Sequence, residues 1–215
     1  QLPHARANLL IVHGYMDHTG LFGKLVQFGM DQPVLAVCGD STFFHAVIPA
    51  LINAVHHCSN ITLVVMDNSG TAMTGFQSHP GLTVNAMGDK VPSIDIARVC
   101  EAIGAKVEIK DPFDLEETRK TINQLIDHEG VKVLILQQAC ALSPERKYEK
   151  KYEMSIDETL CLGEKCGCNR LCTRIFRCPG LIWDKEKSKA RIDEVICVGC
   201  GVCSSICPVA AIKRE

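Results

Sequence analysis

The chain reads as an α/β domain, a doubly wound and mostly parallel sheet, followed by a small α+β domain organised around cysteine. Three observations lead there. From Asn8 to about Gln137, short apolar runs alternate with stretches of helical apolar spacing, the pattern of an open parallel sheet covered by helices on both faces. After Gln137 the alternation stops, and SPERKYEKKYEMSIDE is charged with no strand pattern. Nine of the thirteen cysteines then fall between Cys161 and Cys207. The boundaries that follow are 1–142 for the first domain, 143–158 for a linker and 159–215 for the cysteine domain.

The strands come in order as LLIV (9–12), VLAV (34–37), ITLVVM (61–66), KVEI (106–109) and VKVLIL (131–136), runs apolar enough to be buried on both faces. Between them lie three predicted helices, Thr42 to His57, Ser93 to Ile103 and Asp114 to His128. The first carries Phe44, Val47, Ile48, Leu51 and Val55 at helical spacing. Ser93 and Asp111-Pro112 offer helix starts, and Gly130 offers a stop. In such a sheet ligands sit beyond the carboxyl ends of the strands, so the loops after Val37 and Met66 are the places to look.

Composition narrows the class further. The chain has 215 residues, 47% of them hydrophobic, with a formal net charge of -2. No apolar run approaches the roughly 20 residues that a membrane span needs. The chain begins at Gln1 with no charged-then-apolar leader, so its start reads as processed or as a fragment boundary. Residues up to Leu142 carry 9 basic and 14 acidic side chains, and the remainder 14 and 11, leaving the cysteine domain mildly cationic. Arg170, Arg174 and Arg177 have only Phe176 as an aromatic neighbour, a pattern of a solvated or acid-facing surface rather than of nucleic-acid binding. An odd cysteine total without a secretory leader points to metal chemistry in a reducing compartment, with the cytoplasm expected. Cys38, Cys58, Cys100 and Cys140 each adjoin an apolar stretch and are expected to be buried as small hydrophobes.

The strongest motif is CVGCGVCSSICP, Cys197 to Pro208, which is the CxxCxxCxxxCP run of bacterial ferredoxins. Two-residue gaps let one loop wrap three thiolates around a [4Fe-4S] cubane, whereas zinc sites pair ligands from separated loops. In two-cluster proteins the fourth cysteine crosses to the other cluster. The segment CLGEKCGCNRLCTRIFRCPG, Cys161 to Gly180, supplies the second half, because Cys178-Pro179 mirrors Cys207-Pro208. Cys178 is then expected to join Cys197, Cys200 and Cys203, and Cys207 to complete the first cluster, in a two-cluster ferredoxin-like fold. The first segment holds one thiol too many. Cys166 to Cys172 covers the same six positions as Cys197 to Cys203, which favours Cys166, Cys168 and Cys172 with Cys161 spare. The alternative uses Cys161 in place of Cys166 or Cys168.

The loop after the second strand reads CGDSTFF, and the loop after the third reads MDNSGTAMTGFQSHPG. Alone, Gly39-Asp40-Ser41-Thr42 is an ordinary helix start. Paired with Asp67-Asn68 at the neighbouring strand end, it places two oxygen ligands beside a helix N-terminus, an arrangement suited to a divalent cation and a diphosphate. His45 and His79 flank this region and are read as structural. His56 and His57 end a helix, where a cation is favourable.

This GD-then-Asn arrangement resembles the thiamine diphosphate motif. GDSTFFHAVIPALINAV, LVVMDNSGTAMTGFQSHPG and the terminal cysteine run together resemble the C-terminal part of the large subunit of indolepyruvate ferredoxin oxidoreductases, from about Val34 to the end. The resemblance implies a thiamine diphosphate-binding fold. Asp40 and Asn68 would ligate Mg²⁺ through side chains and Gly70 through its carbonyl, with Gly39, Ser41 and Thr42 at the diphosphate. Thr74-Gly75-Phe76-Gln77 matches a loop usually written TGGQ, which places Thr74, Gly75 and Gln77 at the cofactor, although Phe76 stands where glycine is expected.

By the same resemblance the expected reaction is oxidative decarboxylation of an aryl 2-oxo acid to its acyl-coenzyme A, with two electrons leaving through two one-electron [4Fe-4S] clusters. A ferredoxin or similar acceptor, and a partner domain or subunit carrying the pyrimidine-side glutamate, would complete the enzyme. Residues 1–30 match only loosely, and no activating glutamate is identified within the chain, so catalysis is expected only in a complex. Two alternatives stay open: a related arylglyoxylate or pyruvate-type oxidoreductase subunit, or a non-catalytic electron-transfer subunit.

Overall fold

The computed structural model describes residues 10–13, 34–140, 143 and 150–215. The loosely matching stretch 1–30 lies outside the described residues except for 10–13, as do 144–149 of the expected linker. The chain divides into two compact units, Gln1–Arg146 and Lys147–Glu215.

The first unit is a five-stranded, wholly parallel sheet in the order β1-β2-β3-β5-β4, with β1 Leu10–His13, β2 Val34–Gly39, β3 Ile61–Asp67, β4 Lys106–Lys110 and β5 Val131–Gln137. Alternate residues of each strand serve opposite faces. Val34, Ala36, Ile61, Leu63, Val65, Val133 and Ile135 pack under Phe43, Leu51 and Ala54 on one face. Leu35, Val64, Leu134 and Leu136 pack with Leu125 on the other. Burying a side chain such as Phe43 or Leu51 completely contributes roughly 1.5–3 kcal/mol.

Among the described residues, three helices cover these faces. Helix α1 opens as Asp40–Thr42, passes through a π-helical segment Phe43–Val47 and continues as Ile48–His56. Helix α2 (Ile96–Ile103) and helix α3 (Leu115–Asp127) start at Asp95 and Asp114, whose carboxylates accept from Arg98 N–H and Glu117 N–H. The α2 cap is thus Asp95 rather than Ser93. Helices α1 and α2 serve one face and α3 the other, because β4 lies beyond β5 and the chain must double back.

The expectation of four buried scattered thiols holds in part. Cys38 and Cys100 are buried, and burial pushes each thiol up to about 12. Cys58 is exposed in a left-handed turn (φ 49°) after α1, and Cys140 is half-buried beyond β5. Both stand past the end of an element rather than within its packed face.

In the second unit β6 (Met154–Ile156) pairs antiparallel with β9 (Ile212–Arg214), and β7 (Leu181–Asp184) with β8 (Lys189–Ile192). The stretch 143–158 is therefore not a linker throughout, since Met154–Ile156 pairs with the C-terminal strand. Its three-residue length and charged flanks hid the strand. Short helical segments Gly163–Cys166, Leu171–Phe176 and Val202–Ser205 carry cysteines. The buried apolar residues described here are Met154, Leu181, Ala190, Cys203, Ala211 and Ile212, with several half-buried cysteines packed around them. So small a core generally needs a metal or disulfide to hold it. No described helix is long and apolar enough to cross a membrane.

Candidate functional site

Register brings the two loops together. Gly39 pairs with Met66, so Asp40 and Asp67-Asn68 emerge side by side at the carboxyl edge of the sheet. Asp40 is only 3% exposed. Its Oδ1 accepts from Ser41 N–H (2.7 Å) and its Oδ2 from Gly70 N–H (3.2 Å). Asp67 anchors the neighbouring turn, accepting from Ser69 N–H and from the Gln137 amide.

The amide of Asn68 closes the cluster. Its inward atom lies 2.5 Å from the Gly70 carbonyl oxygen and 3.2 Å from Asp40 Oδ2. Turned so that NH₂ faces in, the amide donates to both oxygens. Turned so that oxygen faces in, oxygens of Asp40, Asn68 and Gly70 converge, an arrangement that suits a cation held among them. All three are hard ligands of the kind Mg²⁺ takes. Gly70 O also accepts from Ala72 N–H (2.8 Å), which fixes the direction of that carbonyl. A Cβ added at Gly39 would meet nothing within 4 Å, so the backbone there is open to approach.

His79 belongs to the same cluster. Its Nδ1 accepts from Gly81 N–H (3.2 Å), so the ring proton of the neutral form sits on Nε2. That Nε2 is buried and lies 3.2 Å from Asp40 Oδ2, a charge contact without hydrogen-bond alignment. Burial pushes the Asp40 carboxyl up, but His79 and the N–H groups of Ser41 and Gly70 outweigh it and hold the carboxyl below its usual range. Phe44, in the π-helical segment, stacks on the imidazole at 5.6 Å. A side chain at Gly81 would press to 2.8 Å from the Phe44 ring. The sequence reading missed this role because His79 is 39 positions from Asp40 in an aperiodic loop. The glycine two residues after it was the available signal. His45, by contrast, is exposed.

Thr74, Gly75 and Gln77 lie in a tight loop in which Thr71 pairs with Gln77. The Thr74 hydroxyl donates to Gln77 Oε1 (2.6 Å) and Gln77 Nε2 donates to Thr74 O (2.5 Å), so these groups brace each other. Phe76 takes φ 58°, the left-handed conformation that glycine adopts freely, and its ring rests against Gly70.

The cysteines of the second unit form two sets. One cavity is lined by Cys161, Cys166, Cys168, Cys172 and Cys207. Burial, and more weakly the nearby Cys168 and Cys161, push the Cys172 thiol up. Elsewhere in the unit, burial followed by the proximity of Cys200, Cys178 and Cys197 pushes Cys203 up to about 12. Cys178 thus stands with the late segment and Cys207 with the early one, a crossed arrangement. Such mutual repulsion is what a positively charged iron core relieves. Among the described residues, no three His, Cys, Asp or Glu side chains meet closely enough for a single ion.

Comparison with known proteins agrees with this chemistry. Residues 10–136 match the family described as thiamine pyrophosphate enzyme, C-terminal TPP binding domain, and residues 190–213 match the 4Fe-4S binding domain. The chain is 40% identical over 188 residues to the indolepyruvate oxidoreductase subunit IorA of Pyrococcus horikoshii, covering 84% of this chain and 28% of that protein. For the Methanothermobacter thermautotrophicus subunit IorA the identity is 42% over 185 residues, covering 86% and 28%. The chain therefore spans about 28% of the length of these curated relatives.

Its C-terminal part is 36% identical over 66 residues to an uncharacterized ferredoxin of Methanocaldococcus jannaschii, covering 29% of this chain and 94% of that protein. Among solved structures, a 2-oxoglutarate:ferredoxin oxidoreductase from Magnetococcus marinus superposes with a TM-score of 0.54 at 17% identity, covering 62% of this chain and 55% of that one, a likeness of fold. The chain belongs to the thiamine pyrophosphate enzyme family, carrying its C-terminal TPP binding domain ahead of a 4Fe-4S domain, and is a homologue of the indolepyruvate oxidoreductase subunit IorA.

Proposed function

We propose that this chain is the diphosphate-binding and electron-exit part of a 2-oxoacid:ferredoxin oxidoreductase acting on aryl pyruvates of the indolepyruvate kind. The observation that carries the reading is the meeting of the Asp40 carboxylate, the Asn68 amide and the Gly70 carbonyl at one sheet edge, in a chain that also gathers two sets of cysteines. Asp40, Asn68 and the Gly70 carbonyl would hold Mg²⁺, and Gly39, Ser41 and Thr42 would meet the diphosphate. The braced Thr74-Gly75-Gln77 loop would shape the wall beside it.

His79 positions Asp40 from behind, keeping the carboxylate ionised and fixed in a buried place where an unpaired charge would be costly. Thiamine diphosphate, when bound, supplies the carbanion chemistry by which a 2-oxo acid loses CO₂. The two cysteine sets would hold two [4Fe-4S] clusters, each supplying a one-electron acceptor. Coenzyme A as acyl acceptor, ferredoxin as electron acceptor, a partner domain supplying the activating glutamate and a cytoplasmic setting complete the proposal.

The test is anaerobic purification of the assembled complex. The reading expects about eight iron atoms per chain, broad absorbance near roughly 400 nm and release of thiamine diphosphate on denaturation. Iron without thiamine would favour an electron-transfer subunit, and zinc without iron would overturn both.

A further inference from the structure

We propose that Cys161, Cys166 and Cys172, together with Cys207, hold the first cluster and that Cys168 is the thiol left free beside it. This rests on the reading of both cysteine sets as [4Fe-4S] ligands, and it reverses the expectation from spacing, which left Cys161 spare.

The unit is an internal duplication, and its two halves can be matched turn by turn. Ile156-Asp157-Glu158-Thr159-Leu160-Cys161 repeats as Ile192-Asp193-Glu194-Val195-Ile196-Cys197. In the first copy Asp157 Oδ1 accepts from Thr159 N–H (2.9 Å) and Leu160 N–H (3.2 Å). In the second Asp193 Oδ1 accepts from Val195 N–H (3.1 Å) and Ile196 N–H (3.2 Å). Cys161 N–H then donates to Asp157 O (2.9 Å), as Cys197 N–H donates to Asp193 O (2.8 Å). The same turn therefore presents Cys161 and Cys197.

The match continues two residues on. Gly163 and Gly199 both have left-handed φ, 60° and 65°. A Cβ on either would collide with a backbone carbonyl oxygen, of Ser188 for Gly163 and of Tyr152 for Gly199. Ser188 and Tyr152 themselves stand five residues before Asp193 and Asp157, so each half packs its glycine on the equivalent point of the other. Next, Cys166-Gly167 matches Cys200-Gly201, with φ 72° and 77° at the glycines. Cys172 and Cys203 are each the second residue of the helical segment that follows, Leu171–Phe176 or Val202–Ser205, and both belong to the apolar core.

Cys168 has no counterpart. In the second half Gly201 leads straight into Val202 and Cys203. In the first, Cys168, Asn169 and Arg170 intervene, and the chain passes them with two further left-handed residues (φ 51° and 54°). Cys168 lies on that insertion, lining the cavity without occupying a duplicated ligand position.

The test is differential alkylation of the anaerobically purified complex. Iodoacetamide is applied to the folded protein, then an isotopically heavy form after unfolding and iron removal, and peptides are read by mass spectrometry. Cys168 is expected to carry the light label and Cys161, Cys166, Cys172 and Cys207 the heavy one. Cys168→Ala should keep the full iron content and the cluster EPR signals. Light label on Cys161, protection of Cys168, or loss of about half the iron in Cys168→Ala would overturn the assignment while leaving the two-cluster reading intact. A complex that holds no iron would remove both.

Discussion

Asp40→Asn is the sharpest perturbation of the proposed cation site, because it keeps the shape and removes the charge. The carboxylate is buried, accepts two backbone N–H groups and lies 3.2 Å from His79 Nε2. An amide can accept through only one atom. Its NH₂ would turn either toward the Gly70 N–H or toward the Ser41 N–H, leaving a buried donor unmet at a cost of about 1–3 kcal/mol. Losing a charged ligand to the cation subtracts a further ~1.5–3 kcal/mol, which at 1.4 kcal/mol per decade weakens metal-dependent thiamine diphosphate retention roughly 10- to 150-fold. The assay is thiamine diphosphate retained per chain after gel filtration of the complex in Mg²⁺, with iron measured on the same sample. Iron should be unchanged. Retention equal to wild type would refute the placement of Asp40 at the metal, and parallel loss of iron would show that Asp40 serves the fold.

Further outcomes follow from the same contacts. His79→Ala should destabilise the α/β unit by roughly 1–3 kcal/mol, through the unpaired carboxylate and the space left beside Phe44. His79→Gln should recover thiamine retention more than stability, and equal loss in both variants would assign His79 to packing alone. Lys132, 1% exposed on β5 and donating to Asn60 Oδ1 and His128 O, is lowered by burial to about 8 from 10.5. A depressed lysine penalises the folded state below both values, so stability should rise between about pH 8 and pH 10.5 by up to ~3 kcal/mol. Denaturant midpoints of wild type against Lys132→Met across that window isolate the effect, and parallel curves would refute it. Gly199→Ala forces a Cβ onto Tyr152 O at a left-handed φ, so EPR should show loss of the signal from the Cys197 set with the other cluster retained.

The contrast between what the sequence disclosed and what it hid is physical. Runs such as Ile61 to Met66 are apolar on both faces and could only be central strands, so the sheet was legible nearly to the residue. Asp40 and Asn68 were legible because each follows such a strand directly. The π-helical segment Phe43–Val47 was not, since its apolar spacing is that of an ordinary helix. His79 reaches Asp40 across a loop whose path no periodicity records. The strand Met154–Ile156 is defined by its pairing with Ile212–Arg214, a contact of distant residues. The cysteine halves mislead in a different way. Cys166 to Cys172 has the length of the regular run, yet in the assignment we propose the first ligand lies before that length and an added loop fills it out.

The central claim is that one chain joins carbon chemistry to electron exit, and the most direct measurement is anaerobic absorbance of the assembled complex on addition of an aryl pyruvate. The account predicts bleaching of the cluster band near roughly 400 nm in wild type, and little or none in Asp40→Asn despite equal iron. Bleaching undiminished in Asp40→Asn, or none in a wild-type complex that retains thiamine diphosphate, would contradict it.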